Sequence, residues 1–199
     1  LELNGISALT TATRECDRLN ETCIGFLTAD ESYIIFRSMD DRHVATGGRR
    51  YTNYRLYQEW EGSKSFACRA DIDILSPSFN VVCAEGIIDL IQIEKTFYTE
   101  SRWNSNHIGL ATCGATHDAI LRQIVSVGII NQNLDLYIDN KSDGTVDPVL
   151  VGDARKLPTK SPFFSNRDYF KMSVYRNGFK GEKDFGIPHD KVDRKLVKL

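Results

Sequence analysis

The stretch Asn80-Val81-Val82-Cys83-Ala84-Glu85-Gly86-Ile87-Ile88-Asp89 decides how this chain is read. A short apolar run ends at Glu85-Gly86, and apolar residues then recur at helical spacing from about Ile87 to Phe97. Strand gives way to helix with one acid and one glycine between them. The order repeats downstream: His107 to Ala111 reads as a strand, Gly114 as a turn, Thr116 to Val127 as a helix with Thr116 at its N-cap, and Leu134 to Asp139 as a strand. Strands alternating with helices predict an α/β fold whose parallel sheet is joined by right-handed crossovers. Ligands of such sheets gather at the carboxyl ends of the strands.

That rule brings acids together. Glu85 leaves the end of the first strand and Asp139 the end of the third, so both are expected on one edge despite lying 54 residues apart. Asp143 and Asp147 follow on the next loop, while Asp135 opens the same strand and belongs at its far end. Clustered carboxylates raise one another's pKa unless a cation is present, and oxygen ligands of this kind suit Mg²⁺ or Mn²⁺. Asp-rich loops after strands are also ordinary solvated turns, and the loop by itself leaves both readings open.

Ahead of the elbow the pattern differs. Ala8 to Leu19 reads as a helix, and from about Gly25 to Ile74 short β-type runs follow, Ser32 to Arg37 and Tyr54 to Trp60 among them. Gly47-Gly48 reads as a hairpin turn. Ser76-Pro77-Ser78 marks a boundary, giving a mixed subdomain over 1–78 and a second domain over 79–199. Residues 33–57 hold Arg37, Arg42, Arg49, Arg50 and Arg55 interleaved with Tyr33, Phe36, Tyr51, Tyr54 and Tyr57. Guanidinium groups bind phosphates and aromatic rings stack on unpaired bases, which points to a single-stranded template or a nucleotide. The alternative is a sheet with an aromatic core whose arginines pair with Asp40, Asp41 and Glu59.

Composition narrows the classes further. The 199 residues carry 25 Lys and Arg against 27 Asp and Glu, a formal charge of −2, with 41% apolar residues, so a packed core is expected rather than disorder. No apolar run reaches the length of a membrane span; the best candidate, Val81 to Ile93, is interrupted by Glu85 and Asp89. Residues 150–199 hold twelve Lys and Arg against six Asp and Glu, which leaves −8 on residues 1–149 and makes the end of the chain a candidate for contact with a polyanion or an ordinary solvated face. Five cysteines (Cys16, Cys23, Cys68, Cys83, Cys113) show no ligand spacing, which fits reduced, packed thiols in a cytoplasm. His43, His107, His117 and His189 are scattered, and neither a Walker A lysine nor a dinucleotide fingerprint is present. Leu1 is expected to be an internal boundary or a processed start.

Three segments carry a resemblance. Val81-Val82-Cys83-Ala84-Glu85-Gly86-Ile87-Ile88-Asp89, then Gly109-Leu110-Ala111-Thr112-Cys113-Gly114-Ala115-Thr116, then Leu136-Tyr137-Ile138-Asp139 resemble the signature segments of the toprim domain shared by bacterial-type primases, topoisomerases and some nucleases. Ile24 to Leu27, Tyr33 to Arg37 and Arg49 to Tyr54 resemble the mixed α/β subdomain that precedes toprim in primases of phage and mobile-element type. Tyr175-Arg176-Asn177 and Gly181 to Pro188 resemble their closing segment. The resemblance implies a toprim-like parallel sheet flanked by helices after a smaller mixed α/β subdomain, and the catalytic core of a DNA primase that makes RNA primers on single-stranded DNA. It implies Glu85 as general acid or base, Asp139 as its catalytic partner, and Mg²⁺ or Mn²⁺ held by Glu85, Asp139 and Asp143. Lys141 stands where the family usually has a second Asp, and Asp143 is its nearest substitute. Arg37, Arg49, Arg50, Tyr51, Asn53, Tyr54 and Lys141 become the expected contacts to nucleic acid or nucleotide. The implied partners are a single-stranded DNA template, ribonucleoside triphosphates and a replicative helicase, with no membrane, in the cytoplasm of a bacterial host. A metal-dependent nuclease and a non-catalytic nucleic-acid-binding module are the alternatives.

Overall fold

Along the strand Gln132–Ile138, Leu134, Leu136 and Ile138 alternate with Asn133, Asp135 and Tyr137, and this alternation assigns the two faces of the main sheet. The computed structural model describes residues 22–28, 31–56, 66–68, 79–98, 107–113, 132–160 and 171–199. Two compact units divide the chain, Leu1–Lys64 and Ser65–Leu199. The division falls ahead of the expected boundary at residue 78, because Phe66–Cys68 already pairs with a strand of the second sheet.

The first unit contains β1 (Cys23–Leu27), β2 (Tyr33–Ser38) and β3 (Tyr51–Arg55) in an antiparallel sheet of order β1-β2-β3. Ile34 and Phe36 form its core with Cys23, Tyr54 and Leu56 packed against them. Between β2 and β3 runs a one-turn helix, α1 (Asp41–Ala45), started by Asp40, whose Oδ1 accepts from Arg42 N at 2.9 Å and His43 N at 3.3 Å. Gly47, at φ +91°, closes this helix by donating to the Val44 carbonyl. The expected Gly47-Gly48 hairpin turn is therefore a helix terminus, since the left-handed backbone that suits one suits the other.

The second unit is built on a six-stranded sheet of order β4-β6-β5-β7-β8-β9, with β4 (Phe66–Cys68), β5 (Phe79–Ala84), β6 (His107–Ala111), β7 (Gln132–Ile138), β8 (Lys171–Asn177) and β9 (Arg194–Val197). The four central strands are parallel, and β4 and β9 run antiparallel at the two edges. The fold is thus α/β, as the alternating pattern predicts. On one face Val81, Cys83, Ile108, Leu110, Leu134, Leu136, Ile138 and Val174 pack against Val151, Ala154 and Leu157 of a helix, α3 (Pro148–Lys160). On the other face lies α2 (Ile87–Phe97), which buries Ile87, Leu90 and Ile93. It approaches so closely that a Cβ at Gly109 of β6 would meet Leu90 Cδ1 at 3.1 Å. Each fully buried Leu or Ile contributes about 1.5–3 kcal/mol, so these two helix stripes account for much of the driving force that clamps the sheet.

β5, α2 and β6 follow the expected ranges closely, and β7 begins two residues earlier than expected. The expected helices Ala8 to Leu19 and Thr116 to Val127, and the run Tyr57 to Trp60, lie outside the described residues.

Candidate functional site

Two adjacent parallel strands place the first two acids. Cys83 of β5 stands level with Leu136 of β7, so Glu85 and Asp139, two and three residues further on, leave the sheet at about the same height. The chain passes from β5 to β6 on one side and later to β7 on the other, which makes the gap at these strand ends a topological switch point. The backbone of Glu85 is anchored from β6: Cys113 N donates to the Glu85 carbonyl at 2.7 Å and Thr112 N to the Ala84 carbonyl at 3.0 Å. Cys113 takes a left-handed φ of 54° to do so.

A third acid comes from α2. Asp89 sits in its first turn, where the helix dipole favours negative charge, and its Oδ1 accepts from Phe185 N at 3.1 Å. Gly86 makes room for it, because a Cβ there would collide with Asp89 Oδ2, and a Cβ on Gly186 would come within 3.0 Å of Oδ1. Burial pushes the Asp89 pKa up to about 7, and the negative charges of Asp184 and Asp139 add to the shift.

Asp139 shows the same physics. Burial, followed by repulsion from Glu85, raises its pKa to about 6, while the Lys183 ammonium pulls in the opposite direction. Lys183 Nζ lies 3.3 Å from Asp139 Oδ2. Asp184, beside it in the chain, uses Oδ1 to accept from Gly186 N at 3.1 Å.

Two buried asparagines hold the loop that carries Lys183 and Asp184. Asn177 donates through Nδ2 to the Asp184 carbonyl at 2.8 Å, and its Oδ1 accepts from Phe179 N at 3.0 Å and Asp193 N at 3.3 Å. Asn140 Nδ2 donates to the carbonyls of Asn177 (2.9 Å) and Glu182 (3.0 Å), and Asn140 N donates to that of Lys183 (2.7 Å). A second loop, bent at Gly144 (φ +76°), meets this one where a Cβ on Gly144 would stand 3.0 Å from Gly181 Cα. Only glycine fits that approach.

The structure therefore brings Glu85 and Asp139 within electrostatic reach of each other and adds Asp89 and Asp184. It does not bring in Asp143. That side chain is fully exposed, its Oδ1 accepts from Thr145 N (2.9 Å) and Thr145 Oγ1 (2.6 Å), and these bonds hold its carboxyl below the usual range. The position expected to supply the third ligand instead closes a turn. Lys141 is exposed on the same turn, and its charge acts on Asp143. Asp147 accepts from Val149 N at 2.8 Å and so caps α3, with Pro148 behind it. Asp135 lies below, where Tyr98 donates to its Oδ2 at 2.8 Å.

Asp89 and Asp184 both fall in quoted motifs but received no role from sequence. Asp89 had a legible signal, an acid in the first turn of a helix that opens with glycine. Asp184 had none, because its contact with the site depends on how the Asn177 loop folds back.

In the first unit, register separates the expected nucleic-acid contacts into two faces. Tyr33 pairs with Arg55, Ile35 with Asn53 and Arg37 with Tyr51, so Tyr33, Ile35, Arg37, Tyr51, Asn53 and Arg55 share one face of the sheet, with Ile35 buried between the two arginine-bearing pairs. Arg37 Nη1 donates to Met39 Sδ at 3.3 Å, and its Nε is buried with no hydrogen-bond partner among the described residues. Tyr54 is on the other face, in edge-to-face contact with Phe36 at 5.6 Å between centroids. Arg50 pairs with Asp41 at 2.9 Å, and Arg49 is exposed ahead of β3.

Glu85, Asp89, Asp139 and Asp184 carry oxygen donors of the type that hard divalent cations take. Among the described residues no three His, Cys, Asp or Glu side chains form a ready-made ligand group, so any such cation would have to draw these carboxylates together. No described helix is long and apolar enough to cross a membrane. Comparison of the chain with protein-family models, curated proteins and solved structures gave no match.

Proposed function

We propose that this chain is a metal-dependent nucleotidyl transferase core of the primase type, joining ribonucleotides on a single-stranded DNA template. The observation that carries the reading is that Glu85 and Asp139 leave adjacent parallel strands at the same end, with Asp89 of α2 and Asp184 of the last loop within electrostatic reach. Asp89, Asp139 and Asp184 would hold Mg²⁺ or Mn²⁺, which supplies positive charge to the triphosphate and the leaving pyrophosphate. Glu85, exposed at the mouth of the site, takes the proton from the attacking 3′-hydroxyl as its oxygen bonds to the α-phosphorus and the bond to pyrophosphate breaks. The half-buried Asp89 and Asp139 would position the reacting groups through the cation rather than move protons.

The face of the first unit formed by Tyr33, Arg37, Tyr51, Asn53 and Arg55 serves template or nucleotide, its arginines pairing with phosphates and its tyrosines stacking on bases. A replicative helicase would be a further partner of such an enzyme.

The test is ribonucleotide incorporation on single-stranded DNA with Mg²⁺ or Mn²⁺, with Glu85→Gln and Asp139→Asn each expected to abolish it. Synthesis at wild-type level by both variants overturns the reading. Cleavage of DNA without added nucleotides would instead assign the site to phosphodiester hydrolysis, and retained DNA affinity without metal binding would assign a non-catalytic module.

A further inference from the structure

We propose that β9 is a docking edge for an acidic linear segment of another protein, which pairs with it and lengthens the six-stranded sheet by one strand.

β9 pairs with β8 on one side, antiparallel, with Arg194 opposite Asn177 and Val197 opposite Val174. Gly178 N donates to the Asp193 carbonyl at 3.1 Å, which makes these two a directly hydrogen-bonded pair and sets the phase of the ladder. Asp193, Lys195 and Val197 therefore turn their N–H and C=O groups toward β8, and Arg194, Leu196 and Lys198 turn theirs outward. The Arg194 amide fits this phase, since it donates to the Asp193 carboxylate at 2.9 Å instead of to β8. No described strand lies beyond β9 to pair with the groups of Leu196.

Edges are commonly blunted by a proline or a bulge, and β9 has neither: its sequence is Arg-Lys-Leu-Val and its register with β8 is unbroken. Leu196 is 65% exposed. The strand is also held firmly at its start. The Arg194 guanidinium lies 4.7 Å from the ring centroid of Phe97 and 5.2 Å from that of Tyr175, and its Nη1 donates to the Tyr137 hydroxyl at 3.0 Å. A strand fixed in this way loses little freedom when a partner pairs with it.

Charge selects the partner. β8 and β9 carry Lys171, Arg176, Arg194 and Lys195 and no acid, and Lys198 follows. Lys195 stands directly opposite Arg176, where like charges repel. An acid on an incoming strand beside Lys195 relieves that repulsion, and an apolar residue beside Leu196 covers it. A second copy pairing through β9 about Leu196 would set Arg194 against the other copy's Lys198, which disfavours self-pairing. A nucleic-acid strand would meet the lysines with phosphates but bring no backbone donor to the outward carbonyls.

The experiment is fluorescence anisotropy with the full chain and a labelled nonapeptide of alternating Glu and Val. A nonapeptide of alternating Lys and Val and a thymidine decanucleotide are the other probes. Wild type is expected to bind the acidic peptide with a Kd on the order of 10–100 μM and the basic one not at all. Lys195→Glu should weaken binding about tenfold, whereas Lys180→Glu, the same change at an exposed loop position, should weaken it less than about threefold. Leu196→Pro removes a donor that points away from β8, a place where an edge strand tolerates proline. It should bind about tenfold more weakly than Leu196→Ala, which keeps the donor. Thermal unfolding establishes that each variant is folded. Independently of the variants, amide exchange in wild type should slow most at Leu196 and Lys198 when the acidic peptide is bound.

No binding of the acidic peptide, or exchange at Leu196 unchanged when it is bound, overturns the proposal. Equal weakening by Lys180→Glu overturns it by showing a general charge effect. Binding of the decanucleotide that Lys195→Glu abolishes, with no binding of the peptide, overturns it in favour of a nucleic-acid surface.

Discussion

The carboxylate of Asp89 accepts a hydrogen bond from the backbone N–H of Phe185 at 3.1 Å, joining residues 96 positions apart. One end of this bond is in the first turn of α2, and the other follows directly on Lys183 and Asp184. The bond therefore couples the strand-to-helix elbow to the last loop of the site. It persists despite an unfavourable setting, since burial and two neighbouring acids oppose the charge on Asp89.

That opposition predicts a pH effect. The folded pKa of Asp89, about 7, lies above its ordinary value of 3.8, so the folded state holds this proton more tightly than the unfolded one. The favourable contribution is complete below the unfolded pKa and is lost as pH rises through about 7. Asp89→Asn keeps the acceptor for Phe185 N and removes the charge. In metal-free buffer it should stabilise the protein by about 1–2 kcal/mol at pH 8 and by much less at pH 5. Urea unfolding at the two pH values measures this; a gain that is equal or larger at pH 5 would contradict it.

Gly86→Ala tests the space that Asp89 occupies. The new methyl would collide with Asp89 Oδ2, and alanine is also a poorer N-cap than glycine. Asp89 must then turn away from Phe185 N. A loss of about 1–2 kcal/mol is expected together with weakened Mn²⁺ binding. Combined with Asp89→Ala, which removes the colliding carboxylate, the stability loss should shrink to the N-cap effect alone.

How far the sequence reveals this site depends on the range of the interactions involved. The elbow at Glu85-Gly86 and the strand ending at Asp139 were legible because local periodicity fixes them, and parallel pairing then makes them neighbours. Helix α3 received no reading from the sequence, because Asp147, which caps it, stands in a run of acids and invites a reading as part of the carboxylate cluster. Asp143 and Asp184 were not separable from sequence. The first is turned aside by its own threonine two residues on, and the second is turned inward by Asn177 seven residues back. Nothing in composition or spacing distinguishes these outcomes.

The two faces of the first unit predict a separation of phenotypes. Tyr54→Ala removes a ring packed on Phe36 and should lower stability by about 2–4 kcal/mol. Tyr51 is 41% exposed on the arginine-bearing face, so Tyr51→Ala should leave stability within about 0.5 kcal/mol. Its effect should appear in single-stranded DNA affinity, as a loss of about 1–3 kcal/mol if a base stacks there. Fluorescence anisotropy with a labelled oligonucleotide, alongside thermal unfolding, separates the two. Unchanged affinity in Tyr51→Ala would remove that ring from the binding face.

Asn177 supports the site without touching any of its carboxylates. Its side chain is fully buried, and its three hydrogen bonds hold the amide of Phe179, the amide of Asp193 and the carbonyl of Asp184. Asn177→Ala leaves all three backbone groups without that partner. Since each buried group left unsatisfied costs about 1–3 kcal/mol, partly recovered by entering water, a total loss of about 3 kcal/mol is expected by urea unfolding. The location of the damage is the sharper test. Amide exchange should accelerate at Lys183, Asp184 and Phe185, while Val82 and Cys83 in the centre of the sheet slow or quicken only with global stability. Asn177→Asp retains the two acceptor bonds and loses the donor to the Asp184 carbonyl, so it should loosen Asp184 more selectively. If exchange at these three amides stays in step with the sheet in both variants, the loop draws its order from elsewhere, with the Gly144–Gly181 contact as the next candidate.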